Sequence, residues 1–348
     1  MRIPIIGKSR LGARRLMKRF ISGTVILFYH RVAELPSDPQ LLCVTPQHFS
    51  EHLEILKKFG RPMGVRQLIL ALQNGNIPDR TLVLTFDDGY ADNLYNAKPL
   101  LEHYDIPATV FVTTGYLGHK REFWWDDLER VLLQPGTLPA SLSLNVNGST
   151  LAFELGDAAT LRNENYQVHR RWHVEKREDP SPRHYLYRRL CQLLYPLSET
   201  QRRPVLDELL AWAGAQSVTR PAHRPLSPDE VLQLAAGGLL EVGAHGVTHS
   251  VLSKLPAEEQ WAEIKGSRTR LEEIVNGPIN GFAYPYGTRS DYTVETAAMV
   301  QTAGFKLACS NFPGFVWRGS NRFQLPRLLI RDWDGEEFAR QVGTWFRD

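Results

Sequence analysis

The chain has 348 residues, 43% of them apolar and 23% charged, an ordinary globular mix that fits one large α/β unit carrying an insertion. Its apolar stretches fall short of the ~20 residues that span a bilayer, so no transmembrane helix is expected. A formal charge of +3, evenly spread, excludes the basic face or stripe of a nucleic-acid-binding protein and points to no nucleic-acid partner.

The N-terminal segment carries seven Lys/Arg between Arg2 and Arg19 and no acid before Glu34. Ala13, Leu16, Met17, Phe20 and Ile21 recur at helical spacing, so residues 1–22 read as a basic amphipathic helix. Such a helix either packs on its own domain or lies on a membrane surface. It has neither the apolar core nor the small-residue cleavage site of a signal peptide. The three cysteines, Cys43, Cys191 and Cys309, fit no C-x-x-C spacing and leave an odd thiol. The expectation is a cytoplasmic location, with the N-terminal helix packed on its own domain and peripheral membrane contact through its basic residues as the alternative.

From Thr24 to Tyr29 the run TVILFY predicts a buried strand ending at His30. A helix is predicted from the Thr45 cap to Gly60 and another from Gly64 to Gly75. The strand TLVLTF at Thr81 to Phe86 follows, and delivers Asp87, Asp88 and Gly89. A helix around Asn96 to Tyr104 and the strand ATVFVT at Ala108 to Thr113 complete the first part of a barrel, residues 23–119.

Between 120 and 225 the alternation lapses. This region reads as a mainly helical insertion, with a helix starting at FWWDDLERVLL, strand-like alternation around Ser141 to Leu155, a loop from His169 to Arg183 and helix from Tyr185 to Trp212. Residues 226–348 resume the barrel: a Ser227-capped helix to Ala236, the strand LLEVGAH to His245, a helix over Pro256 to Val275, and a strand ending in FAYPYG. After these come a helix over Val294 to Ala303 and short strands at Lys306 to Ser310 and Leu325 to Arg331.

Strands alternating with helices imply a parallel sheet, and closed parallel barrels gather their functional residues at the carboxyl ends of the strands. His30, Asp87, Asp88, His245 and Tyr286 all stand at such ends. Of two adjacent carboxylates, one can bind a cation while the other accepts a proton from the attacking water. His245 and His249, four apart, complete a three-ligand set with Asp88, suited to zinc or a similar divalent ion. The zinc-protease pattern is disfavoured because Gly246 stands where it needs Glu. Iron oxygenases use a like triad. Asp-Asp-Gly as a mere turn, and either histidine as a core or capping residue, are the bland readings.

TFDDGY at Thr85 to Tyr90, HGVTH at His245 to His249 and FAYPYG at Phe282 to Gly287 resemble, in order and spacing, the motifs of the polysaccharide deacetylase family, the NodB-homology or carbohydrate esterase family 4 enzymes. The resemblance runs from about Val25 to Arg331, the insertion aside. It implies a distorted (β/α) barrel and divalent-metal hydrolysis of N-acetylhexosamine amides, with acetate released from a polysaccharide, oligosaccharide or glycan precursor. Carried over by position, Asp87 is the catalytic base, Asp88, His245 and His249 are the metal ligands, and Tyr286 is the backbone oxyanion donor. Zinc is the first expectation, with cobalt, nickel or manganese as alternatives.

Two departures stand out. Ala283 occupies a position where many family members carry an arginine that orients the base, and no histidine follows His249 to act as general acid. Arg327 is therefore read as the replacement arginine and His30 as the acid. Trp124 and Trp125 read as a sugar-stacking surface or as core, and Arg170, Arg171, Arg188 and Arg189 as a phosphate-binding or merely solvated face. A deacylase of small amides and a glycan-binding protein without turnover are the rival functions.

Overall fold

The computed structural model describes residues 24–119 and 121–346, so the N-terminal helix expected over 1–22 lies outside the described residues. Eight strands form one parallel sheet: β1 (Val25–Tyr29), β2 (Arg61–Pro62), β3 (Thr81–Phe86), β4 (Ala108–Val112), β5 (Leu240–Ala244), β6 (Gly281–Ala283), β7 (Leu307–Cys309) and β8 (Leu328–Leu329). Their order is β7-β6-β5-β4-β3-β1-β8, with β2 paired to β3. The segment leading into β8 draws the two edges together: Leu325 bridges Cys309 of β7, and Leu328 and Leu329 pair with Leu27 and Phe28 of β1. The result is the distorted (β/α) barrel that the alternation of elements implied.

The period of two along each strand divides the interior in two. Val25, Leu27 and Tyr29, with Leu82, Leu84 and Phe86 and with Ala108, Val110 and Val112, belong to the layer between sheet and helices. The intervening residues Ile26, Val83, Phe111, Ala283, Leu307, Cys309 and Leu325 form a second cluster inside the barrel, joined by Val65, Leu68 and Ile69 of a helix. Burial on both faces explains why these strands read as continuous apolar runs. The same parity, continued one step past the strand ends, carries His30, Asp87 and His245 into the lumen. It does the same for Arg327, two residues beyond Leu325.

The helices around the sheet are α1 (Pro46–Phe59), α2 (Val65–Asn74) and α3 (Lys98–Tyr104) in the first part. Thr45 caps α1 as expected, its side chain accepting from the His48 N–H. The helix expected around Asn96 begins earlier, as a wide π turn over Asn93–Ala97. Pro99 has no N–H to give to Tyr95, and Lys98 instead donates to Asn93.

Between the two parts of the barrel lie α4 (Trp124–Leu132), an antiparallel hairpin (Ser141–Val146 with Ser149–Glu154), α5 (Asn163–His169), α6 (Pro182–Leu194) and α7 (Glu199–Trp212). The single helical stretch expected from Tyr185 to Trp212 is broken at Pro196, where Ser198 opens α7 in a reciprocal cap with Gln201. Helix α5 stands where no helix was expected. These elements share a core built on Phe123, Trp125, Leu128, Tyr187 and Leu206, which also takes in Tyr90 and Tyr116 from the strand ends of the barrel.

The chain then resumes the barrel with α8 (Pro228–Ala235), α9 (Ala257–Val275), α10 (Val294–Thr302) and α11 (Gly335–Trp345). Helix α11, also unexpected, carries the cap signal Asp334, whose side chain accepts from the Glu337 N–H, and buries Phe338 and Val342. No helix among the described residues is long and apolar enough to cross a membrane.

Leu84 is fully buried in the middle of β3. Leu84→Ala is expected to lower unfolding stability by about 2–5 kcal/mol through lost burial and a residual cavity. Urea unfolding followed by circular dichroism checks this; a change under ~1 kcal/mol would mean that the site collapses or is less packed than described.

Candidate active site

At the carboxyl end of the barrel a cavity of about 600 Å³ is lined by His30, Asp87, Asp88, His245, His249 and Tyr286, with Trp124 and Trp125 on its far wall. Every one of these was singled out by the sequence. Arg327 is the exception to the lining, because it lies beneath Asp87 in the lumen, 1% exposed. Its two terminal nitrogens donate to the two carboxylate oxygens of Asp87 at 2.7 and 2.6 Å. The same guanidinium donates to Thr85 Oγ1 at 3.2 Å and through Nε to the Ser310 carbonyl at 2.9 Å.

Asp88, next along the chain, has a different environment. Its φ of +74° turns the backbone out of the strand and brings Oδ1 within 3.6 Å of His245 Nε2 and 3.3 Å of His249 Nε2. One ligand atom from each of the three residues lies within 4.8 Å of the others, and all three residues are buried. Asp88 Oδ1 has no hydrogen-bond donor. His245 donates from Nδ1 to the Ala283 carbonyl at 2.8 Å, which leaves Nε2 unprotonated and facing Asp88. The His249 ring is held edge-on by Trp125 and Tyr286, at centroid distances of 5.0 and 4.6 Å, rather than by a hydrogen bond. A buried carboxylate oxygen without a donor, facing two neutral imidazole nitrogens, is a donor set that fits a divalent cation.

The electrostatics separate the two carboxylates. Burial raises the Asp87 carboxyl, but the Arg327 charge, followed by His245 and the Arg327 hydrogen bonds, outweighs it and holds the pKa at about 2. Asp88 is raised by burial, with Asp87 adding to it against the imidazoles. Burial lowers His30, His245 and His249, the last to about 3. The two imidazoles beside Asp88 are thus neutral, the form that ligates metals.

Three site residues other than glycine have left-handed backbone: Asp88, His249 (φ +56°) and Tyr286 (φ +59°). Non-glycine residues in this region are strained and gather at functional sites. The Tyr286 N–H makes no hydrogen bond among the described residues.

Trp124 and Trp125 are 4% and 6% exposed, so both packing and cavity lining apply. Trp125 Nε1 donates to Tyr90 Oη at 2.8 Å, and that hydroxyl donates to Asp126 at 2.7 Å. Arg188 lines the cavity but is engaged by Asp179 at 2.8 Å and by the Lys176 carbonyl, which removes it as a free phosphate ligand. Sequence reading missed Tyr195, which also lines the cavity and donates its hydroxyl to Asp291. It also missed Glu263, which accepts from the Val247 and Thr248 N–H groups between the two histidines. The signal for Glu263 was present: it shares the buried stripe of α9 with Gln260, Ile264 and Ser267.

Comparison with known proteins agrees with this geometry. Residues 74–136 and 206–307 match the model of the polysaccharide deacetylase family. YxkH of Bacillus subtilis, a polysaccharide deacetylase by name, is 30% identical over 108 residues, 30% of this chain and 37% of its own length. A poly-beta-1,6-N-acetyl-D-glucosamine N-deacetylase of Staphylococcus aureus is 26% identical over 111 residues, 32% of this chain and 37% of that one. The match therefore spans well under half the length of either relative. Among solved structures, the Streptococcus pyogenes deacetylase PplD in complex with acetate superposes with a TM-score of 0.56 at 17% identity, covering 92% of this chain and 98% of that one. IcaB from Ammonifex degensii gives 0.56 at 18%, covering 93% and 96%. At these identities the structural likeness establishes the fold. The family-model match, the named relatives and the fold together support the polysaccharide deacetylase family for the segments that carry Asp87, Asp88, His245 and His249.

Arg327→Met leaves Asp87 buried without its partner, so a loss of about 3–5 kcal/mol is expected at pH 7. In the native protein Asp87 titrates below its unfolded value, so its contribution is present above pH ~4 and lost as pH falls toward 2. Without Arg327 the carboxyl rises instead, and the deficit shrinks between pH 7 and pH 5 as Asp87 protonates. Urea unfolding of both proteins at the two pH values tests this; a deficit independent of pH would contradict the pairing.

Proposed function

We propose that this protein is a metal-dependent hydrolase that removes N-acetyl groups from N-acetylhexosamine units of a polysaccharide, oligosaccharide or glycan precursor, releasing acetate. The observation that carries the reading is the buried Asp88, His245 and His249 triad beside a second carboxylate, Asp87, that Arg327 holds ionised and fixed.

Asp88, His245 and His249 would hold a divalent ion, zinc first, with cobalt, nickel or manganese as alternatives. Bound there, such an ion supplies the charge that polarises an amide carbonyl and acidifies a water molecule. Asp87 accepts the proton of the attacking water as the new C–O bond forms. Both its oxygens are tied to one guanidinium, so its orientation is set before substrate arrives. A carboxylate at about pKa 2 is a weak base, but it stays in the basic form throughout the neutral range. The oxyanion that develops on the acetyl carbon needs a donor, and the unengaged Tyr286 N–H supports that role.

As the C–N bond breaks, the departing nitrogen takes up a proton, which we assign to His30. Its backbone is fixed by Asn93, whose side chain donates to the His30 carbonyl at 2.9 Å, and its ring lines the cavity. Trp124 and Trp125 close the opposite wall, where flat apolar faces suit a sugar ring. Arg327 supplies the arginine that Ala283 lacks, which weakens the reading of a binding protein without turnover.

The test is acetate release from β-1,6- and β-1,4-linked N-acetylglucosamine oligosaccharides by protein loaded with zinc. Chelation is expected to abolish turnover, and Asp87→Asn to lower kcat by about 10²–10⁴-fold, as for loss of a general base. Small acetamides processed faster than any oligosaccharide would instead favour the small-amide deacylase. No acetate from either class, with zinc bound, would sink the hydrolase reading.

For His30 the expected result is separate. A protonated imidazole acting as acid gives a rate that falls as pH rises through its pKa, which burial sets below the ordinary histidine value. His30→Gln is expected to lower kcat by about 10²-fold and to flatten that alkaline limb. An unchanged pH profile rules out the acid role.

A further inference from the structure

Residues 246–248, which join the two histidines, are held from two sides. On one side the end of β4 reaches them: Thr114 N–H donates to the Gly246 carbonyl at 3.1 Å and Gly115 N–H to the Val247 carbonyl at 2.7 Å. On the other side stands a single carboxylate. Glu263 Oε2 accepts from the Val247 N–H at 2.7 Å and the Thr248 N–H at 2.9 Å, and Oε1 accepts from Thr248 Oγ1 at 2.6 Å. Glu263 is 8% exposed, sits near the start of the 19-residue helix α9, and has no Lys or Arg in contact among the described residues.

A buried carboxylate that takes its compensation from backbone N–H groups instead of a cation is an expensive choice for simple packing, for which an apolar residue would serve. Its three bonds all end on the two residues that precede His249. His249 itself has φ +56°, a conformation that costs about 1–3 kcal/mol and persists only where its surroundings impose it. Gly246 is part of the same device. Its φ is +74°, and a Cβ there would stand 2.9 Å from Glu263 Oε2, so glycine is needed both for the turn and for the approach of the carboxylate. His249 is also the ligand whose ring is not oriented by a hydrogen bond of its own.

We infer that Glu263 is the positioning residue of the metal site: it holds the loop between His245 and His249 in the strained form that points His249 at Asp88, so that metal affinity depends on it. The inference rests on the metal-site reading given above. Glu263 neither lines the cavity nor belongs to the ligand set. Its effect is on the free energy of presenting His249, and it acts before any chemistry.

The test measures zinc affinity of the full chain, stripped with chelator, by competition with a chromophoric chelator, together with the Tm of the metal-free protein. Glu263→Ala removes all three bonds and orphans two backbone donors; a zinc Kd weaker by about 10–100-fold is expected, the usual size for loss of an outer-shell partner. Glu263→Gln keeps the shape but not the charge-assisted strength, so a loss of roughly three- to tenfold is expected. Because the alanine variant is the one at risk of misfolding, the glutamine variant decides the matter if only it folds. Wild-type zinc affinity in a folded variant, whatever its metal-free Tm, would overturn the positioning role. If the wild-type protein itself takes up no zinc while His249→Ala is equally inert, the metal reading fails as a whole, an outcome plainly distinct from a wild-type site that binds and a Glu263 variant that binds equally well.

Discussion

The buried pair of Arg327 and Asp87 is the interaction on which the rest of the site depends. Two charges taken out of water carry a desolvation penalty of several kcal/mol each, so such a pair is a poor device for stability and is retained where it specifies an arrangement. Here the arrangement is double. Arg327 lies in the segment that bridges Cys309 of β7 and runs into β8 against β1, and it also carries both oxygens of Asp87. Closing the barrel and fixing the Asp87 carboxylate are therefore one event. The guanidinium is further packed over the Phe28 ring at 4.4 Å, where a weakly hydrated planar cation is at home and an ammonium would not be.

That pair also makes the neighbouring carboxylate available. Adjacent aspartates at one strand end repel each other, and Asp88 is the one with no Lys or Arg in ion-pair contact among the described residues, only His245 and His249. Environments that drive two acids apart assign them different tasks. The separation is achieved by backbone geometry: Asp87 continues the inward parity of β3, whereas the left-handed turn at Asp88 swings the next side chain toward the histidines. Left-handed residues at Asp88, His249 and Tyr286 each cost about 1–3 kcal/mol. The neighbouring backbone offsets this strain. Thr113 N–H donates to the Asp88 carbonyl, and the bonds of Thr114 and Gly115 secure the loop before His249.

What the sequence could disclose follows from the same geometry. Strand parity is a strictly local rule, so the runs before His30, Asp87 and His245 were enough to predict that these three meet. Arg327 was legible for a second reason: the family resemblance implies an arginine beside Asp87, Ala283 does not supply it, and LPRLLI offers one on a strand. The insertion was harder. Its helices pack on one another through residues scattered from Phe123 to Leu210, and no period in the sequence tells which faces meet. Pro196 and Ser198 signalled a break that a long apolar pattern concealed, and the short helix α5 buries only Tyr166, too little for periodicity to register. Glu263 stood on the legible buried stripe of α9, but its partners, backbone groups of another loop, have no signature in the sequence, so its role went unread.

Chemistry and shape are thus assigned to different parts of the chain. The groups that would bind an ion and move protons stand on barrel strand ends, whose positions are fixed by a core buried on both faces. The wall opposite them is built by the region between β4 and α8, through Trp124, Trp125, Val174, Cys191, Gln192 and Tyr195. The two parts are not independent, because Tyr90, the last residue of TFDDGY, belongs to the core of that region and receives the Trp125 indole N–H. A change in the wall is therefore felt at His249, whose ring rests edge-on against Trp125. Gln192 and Val174 line the same wall without a ring against His249, whereas Trp125 touches that ring directly and Trp124 packs on Trp125.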